Sequence, residues 1–162
     1  PIREWNDFAQ WLRPVPSVRA NRGVNGIDGQ ISTWLGWSAE ISGTWAVLGD
    51  LTALYDLAAP FVLGQTDNTG RVLAVINNGG GKIFENLPRL RSMSPRAIEC
   101  MTNPQAADLA GFATLWNFDH LRIRTADDFD QFEPGSKTLL LEILPDPGQT
   151  AAFRAAWERF NH

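Results

Sequence analysis

The sequence predicts a three-layer α/β fold, a parallel sheet with helices on both faces, from three observations. Residues 45–48 and 72–76 are continuous apolar runs, the pattern of strands buried on both sides, and 138–144 is a third strongly apolar stretch. Stretches with helical spacing of apolar residues lie between them, and strands alternating with helices build a parallel sheet. The interval between the first two runs is that of a crossover connection, which parallel neighbours require. At 162 residues the chain fits a single domain, 1–162.

Each element has its own justification in the residues. Positions 2–12 place Trp5, Phe8, Trp11 and Leu12 on one helical face, and Pro14 and Pro16 stop that helix. An extended stretch at 15–20 leads into Asn21-Arg22-Gly23-Val24-Asn25-Gly26-Ile27-Asp28-Gly29, where three glycines let backbone approach a ligand closely. Residues 30–40 space Ile31, Trp34 and Leu35 for one face of a helix. After the first strand, 51–63 reads as helical, with Pro60 near a helix start or at a kink. Segment 88–102, rich in Arg, Ser and Pro, has no clear period and is expected to be a mobile active-site segment. Asn103 is expected to cap a helix that has Pro104 at its first position and runs to about Trp116. A short strand follows at 120–124, and 125–128 opens another helix with acids in its first turn. The strand at 138–144 and an amphipathic helix from about Thr150 to Phe160 close the chain.

Composition narrows the function. Apolar residues make up 44% and charged residues 20%, an ordinary globular balance. The net charge of −4, with no basic run, gives a nucleic-acid role little support. No apolar run approaches the roughly 18 residues that cross a bilayer, and no signal-peptide pattern is present. Cys100 is the sole cysteine, so no internal disulfide forms, which agrees with a reducing cytosol and a cytoplasmic location. With no histidine nearby in sequence, Cys100 reads as a structural thiol. His120 and His162 read as surface groups, and the seven tryptophans as core or interface mass. The chain starts at Pro1 without methionine, inside helical sequence, and is expected to be a piece of a longer protein.

The chemistry concentrates at two strand ends. Val47-Leu48-Gly49-Asp50-Leu51 is an apolar strand ending in a carboxylate, and Val75-Ile76-Asn77-Asn78-Gly79-Gly80-Gly81 is one ending in two amides and glycines. A carboxylate and an amide at the C-terminal ends of two parallel strands can share one hard cation. Magnesium wants six oxygens and usually keeps phosphates and water among them. Ligands of open α/β sheets collect beyond those strand ends, and a helix start after Asp50 would offer N–H groups to a diphosphate. Each piece alone has a plainer meaning: an acid after a strand caps the next helix, and Asn and Gly dominate tight turns. Together, 26 residues apart from Thr52 to Asn77, they point to a magnesium-diphosphate site.

Gly49-Asp50, the spacer and Asn77-Asn78 resemble the thiamine diphosphate motif, with Leu51 in place of that motif's last glycine. With Thr52-Ala53-Leu54-Tyr55-Asp56, Asn21-Arg22-Gly23, Gly26-Ile27-Asp28-Gly29, Gly80-Gly81-Lys82-Ile83-Phe84 and Leu87-Pro88, the chain resembles one thiamine family. That family is the 2-succinyl-5-enolpyruvyl-6-hydroxy-3-cyclohexene-1-carboxylate synthases of menaquinone biosynthesis. The resemblance is densest from Asn21 to Pro88 and weak after about Pro95.

The resemblance implies the C-terminal, diphosphate-binding domain of a multidomain transferase that uses thiamine diphosphate and Mg2+. Asp50, the Asn78 side chain and the Gly80 carbonyl would hold the metal, Asn78 being chosen over Asn77 by the distance to the Gly-Gly-x-Ile-Phe run. The cofactor would lie against Asn25, Gly26, Ile27, Gly49, Asp50, Leu51, Thr52, Asn78, Gly80 and Gly81. Ile27 would serve catalysis by propping the cofactor in its bent form; the alternative, an ordinary buried isoleucine, is less natural among the glycines around it. Arg3 and Arg22 would hold substrate carboxylates, a task that suits bidentate guanidinium groups. Ile83, Phe84 and Leu87 would line the substrate pocket, although any of them could equally be packing. A glutamate needed to activate the cofactor would come from the enzyme's own N-terminal pyrimidine-binding domain in a neighbouring subunit, giving a homodimer or homotetramer. The implied reaction decarboxylates 2-oxoglutarate and adds the succinyl-semialdehyde carbanion to isochorismate, and this chain alone would be inactive.

Three rivals share parts of the pattern. An acetolactate synthase-like enzyme or a 2-oxo acid decarboxylase would use Asp50 and Asn78 without needing the Asn-Arg-Gly loop. A non-catalytic thiamine-fold domain kept for assembly would tolerate Leu51. A plain doubly wound nucleotide binder lacks its G-x-G-x-x-G after an early strand.

Overall fold

Four strands of five residues each, β1 (Trp45–Gly49), β2 (Val72–Ile76), β3 (Asp119–Ile123) and β4 (Leu139–Ile143), form one wholly parallel sheet in the order β1-β2-β4-β3. They belong to a computed structural model that describes residues 13–15, 17–21, 26–66, 69–87, 90, 92–133 and 135–160. The helix expected at 2–12 lies outside the described residues. The α/β fold with a parallel sheet and helices around it is the expected one.

The pleat sends alternate residues to opposite faces. Ala46, Leu73, Val75 and Leu140 join Ile31, Trp34 and Leu35 of helix α1 (Gln30–Trp37), Ala53 of α2 (Asp50–Leu54), and Leu109, Phe112 and Ala113 of α4 (Leu109–Leu115) in the larger core. Val72, Ala74, Leu139, Leu141 and Ile123 form a smaller cluster on the other face, with Phe132 packed against it and tilted onto Trp45 at 5.3 Å. Leu73 and Leu140 have no exposed surface, and each such burial is worth about 2 kcal/mol. Among the described residues no helix is long and apolar enough to cross a membrane.

Register brings the working ends of the strands level. Gly49 lies opposite Ile76, and Ile76 opposite Ile143. The residues that follow, Asp50, Asn77 and Leu144, therefore leave the same sheet edge.

Several elements differ from the sequence reading. The helix expected over 51–63 is α2 followed by a 3-10 helix (Ala59–Gln65), because Pro60 can start a helical turn but not continue one. Residues 125–128 open a 3-10 helix (Ala126–Gln131), with a capping box between Thr125 and Asp128. The segment read as aperiodic contains α3 (Pro95–Thr102), capped by the Ser94 hydroxyl, which accepts the Ala97 N–H at 3.3 Å. Asn103 does not start a helix; it ends α3 in the left-handed conformation, φ 43. The next helix, α4, waits for Asp108, whose side chain accepts the Ala110 N–H. The backbone near Asn103 is engaged by a neighbouring loop instead: Thr102 O accepts the Gly81 N–H at 2.6 Å, and the Gln105 N–H donates to Gly79 O at 3.2 Å. The last helix, α5 (Pro147–Phe160), begins before Thr150, and Phe153 and Trp157 stack on each other along it.

Candidate functional site

Asp50 opens α2 directly after β1 and is 3% exposed. Burying a carboxylate is costly without compensating donors. Two donors meet Oδ2, the Gly80 N–H at 2.7 Å and Gln105 Nε2 at 2.6 Å. Among the described residues, Oδ1 accepts no hydrogen bond.

The two asparagines after β2 have different surroundings. Asn77 is engaged at both ends of its amide: Nδ2 donates to Glu142 Oε1 at 2.7 Å, Oδ1 accepts from Gln105 Nε2 at 3.0 Å, and the backbone N–H donates to Ile143 O at 2.7 Å. Asn78 Oδ1 is buried and has no hydrogen-bond partner among the described residues. An orphaned buried acceptor costs about 1–3 kcal/mol, which a bound cation would recover.

The glycines shape the loop between these side chains. Gly79 (φ 82) and Gly80 (φ 135) take backbone conformations that L side chains rarely adopt. A Cβ on Gly80 would meet Thr102 O and Asn103 O at 2.9 Å each. The Gly80 carbonyl accepts the Lys82 N–H at 2.9 Å and keeps a second lone pair. One carboxylate oxygen, one amide oxygen and one carbonyl make a hard donor set that suits magnesium completed by phosphate and water, so these residues fit that ion. No group of three or more His, Cys, Asp or Glu gathers among the described residues to hold a metal by itself.

Behind the site stands Glu142, an acid inside β4 and only 2% exposed. It accepts from Asn77, from Arg122 Nε at 2.9 Å, and pairs with His120 Nε2 at 2.9 Å. Burial pushes its carboxyl up, but the hydrogen bonds from Asn77, Arg122 and His120 outweigh burial and hold it below the ordinary range. His120, read from sequence as a surface group, is half-buried against this carboxylate, because β3 pairs with β4 with Arg122 opposite Glu142 and His120 two residues before it on the same face. The sequence reading missed Glu142 and Gln105. A lone acid within the apolar run 138–144 was the available signal for Glu142; Gln105 carried none.

The other expected site residues fall as follows. Gly49, Leu51 and Thr52 flank Asp50 at the start of α2, and Gly81 follows Gly80 with Phe84 packed close above it. Ile83 and Leu87 are exposed beside that loop, Ile83 and Phe84 being on a 3-10 helix (Lys82–Asn86) and Leu87 ending it. Gly26 and Ile27 are exposed ahead of α1. Arg3, Arg22, Asn25 and His162 lie outside the described residues.

No family model matches the chain. Among curated proteins, it is 49% identical over 157 residues to the 2-succinyl-5-enolpyruvyl-6-hydroxy-3-cyclohexene-1-carboxylate synthase of Akkermansia muciniphila, covering 95% of this chain and 29% of that protein. The proteins of the same name from Bdellovibrio bacteriovorus and Chlorobaculum tepidum are 35% and 36% identical, over 99% and 90% of this chain and 28% and 26% of their own lengths. The chain thus spans between a quarter and a third of the length of these three relatives.

Proposed function

We propose, for a chain that belongs to the 2-succinyl-5-enolpyruvyl-6-hydroxy-3-cyclohexene-1-carboxylate synthase family, that it is the magnesium- and diphosphate-binding part of a thiamine diphosphate transferase. The observation that carries this reading is the unpartnered, buried Asn78 Oδ1 near a buried Asp50 at one sheet edge. Asp50 Oδ1, Asn78 Oδ1 and the Gly80 carbonyl would hold the cation, and the cation would anchor the diphosphate. Gly49, Leu51, Thr52 and Gly81 would border it, and Asn25, Gly26 and Ile27 would meet the rest of the cofactor, with Ile27 as its prop.

When bound, thiamine diphosphate supplies the electron sink for decarboxylating 2-oxoglutarate and for adding the remaining four-carbon unit to isochorismate. Ile83, Phe84 and Leu87 would present an apolar wall to those substrates. Arg3 and Arg22 would pair with their carboxylates, which need bidentate partners to be held in orientation. The activating glutamate would come from a pyrimidine-binding domain of a neighbouring subunit, in a homodimer or homotetramer. The isolated chain is then expected to show no turnover, and product formed by it alone would overturn that part of the reading.

The test is calorimetric titration of thiamine diphosphate into the intact protein, with magnesium or with chelator, beside Asp50→Ala and Asn78→Ala. Magnesium-dependent heat that is lost in both variants is the expected result. Equal heat with chelator, or in both variants, would overturn the site. A preference for pyruvate over 2-oxoglutarate as donor would keep the site and replace the substrate assignment.

A further inference from the structure

We infer that Gln105 is a positioning residue, aiming the Asp50 carboxylate at the cation while keeping Asn77 out of its coordination; this rests on the metal-site reading above. Gln105 lies between α3 and α4, and its own backbone N–H is bonded to Gly79 O. Its carboxamide can face only one way. The Ala107 N–H, a pure donor, sits 2.6 Å from Oε1, and the Asp50 carboxylate, when ionised a pure acceptor, sits 2.6 Å from Nε2.

Nε2 has two hydrogens, and both are spent. One goes to Asp50 Oδ2 and the other to Asn77 Oδ1 at 3.0 Å. Because the Gly80 N–H reaches the same Oδ2 from the glycine loop, that oxygen is held from two sides and the carboxylate plane is fixed. Oδ1 is the oxygen left for a metal. Asn77 has its oxygen on Gln105 and its nitrogen on Glu142, and the two bonds turn its amide toward those partners, whereas Asn78 Oδ1 has no hydrogen-bond partner among the described residues. One amide side chain thus selects both the carboxylate oxygen and the asparagine that meet the ion.

Magnesium demands near-octahedral geometry, while calcium accepts a looser array. A residue that aims a ligand should therefore matter more for magnesium. The experiment uses the intact protein with thiamine diphosphate and compares the parent, Gln105→Met and Asp50→Ala by titration with magnesium and with calcium, following cofactor-dependent tryptophan quenching. Methionine keeps the volume and removes the donor. The expected result is a magnesium affinity about tenfold weaker in Gln105→Met, as for other residues that orient metal ligands. Calcium affinity is expected to stay within about threefold of the parent.

If the parent and Gln105→Met bind magnesium alike, or if both metals weaken equally, the positioning role falls and the metal site stands. If the parent and Asp50→Ala respond alike, the metal site falls and Gln105's role with it. Should Gln105→Met not fold, Gln105→Ala is judged by the same criteria.

Discussion

The Gly80 N–H donates to Asp50 Oδ2 at 2.7 Å, a bond across 30 residues that ties the loop after β2 to the end of β1. It closes the gap between two parallel strand ends that share no hairpin. It also presents the Gly80 carbonyl and the remaining carboxylate oxygen from backbone that is itself pinned to residues 102–105.

Asn77 and Asn78 should respond oppositely to alanine. Asn78→Ala is expected to weaken magnesium binding by about tenfold or more while leaving unfolding stability unchanged or slightly higher, since it removes an unsatisfied acceptor. Asn77→Ala is expected to cost about 1–3 kcal/mol of stability, because Glu142 Oε1 loses its 2.7 Å donor. Urea unfolding in chelator and a metal titration separate the two, and the reverse pattern would exchange the asparagines' roles.

Gly80→Ala has no room. The new methyl would stand 2.9 Å from two carbonyl oxygens, at φ 135. A loss of about 3 kcal/mol or more is expected in denaturant unfolding. A variant as stable as the parent would show that the loop over Thr102 and Asn103 yields easily.

Glu142 gives the fold an acid-side dependence. Its carboxyl titrates below the ordinary 4.5 in the fold. A group depressed in this way adds stability that is complete above its unfolded value and is lost as pH falls through the folded one. Glu142→Gln is therefore expected to cost about 2 kcal/mol near neutral pH. The gap to the parent should close as pH drops below 4.5. A gap that stays constant from neutral to acid pH would assign the cost to packing.

Asp108 caps α4 through the Ala110 N–H at 3.1 Å and also meets Arg122 Nη2 at 3.1 Å. The ion pair is exposed, so most of the effect should come from the cap. Asp108→Ala is expected to cost about 1 kcal/mol, and Asp108→Asn, which can still cap, much less. Equal losses would shift the weight to Arg122.

The strands were legible because their signal is local. Residues 72–76 read as a strand and are β2 without a change of boundary. The runs at 45–48 and 138–144 became β1 and β4 within a residue. The helix α3 was missed although Ser94-Pro95 is a cap followed by a first-turn proline, since eight residues hold too few apolar positions to show a period. Asn103-Pro104 was read as a helix start because the same residue pair suits a cap and a left-handed helix end. The contact with the glycine loop decided between them.

The sequence by itself determined the sheet, the crossover between β1 and β2, and the presence of Asp50, Asn77 and Asn78 at its carboxyl edge, since apolar runs and turn residues act over a few neighbours. Only the tertiary structure decided which of those groups has partners and which has none. Asn77 is held by Gln105 and Glu142, 28 and 65 residues away, and Asp50 by Gln105 across 55. Which polar groups find hydrogen-bond partners depends on residues brought together by folding, and no spacing along the chain encodes it.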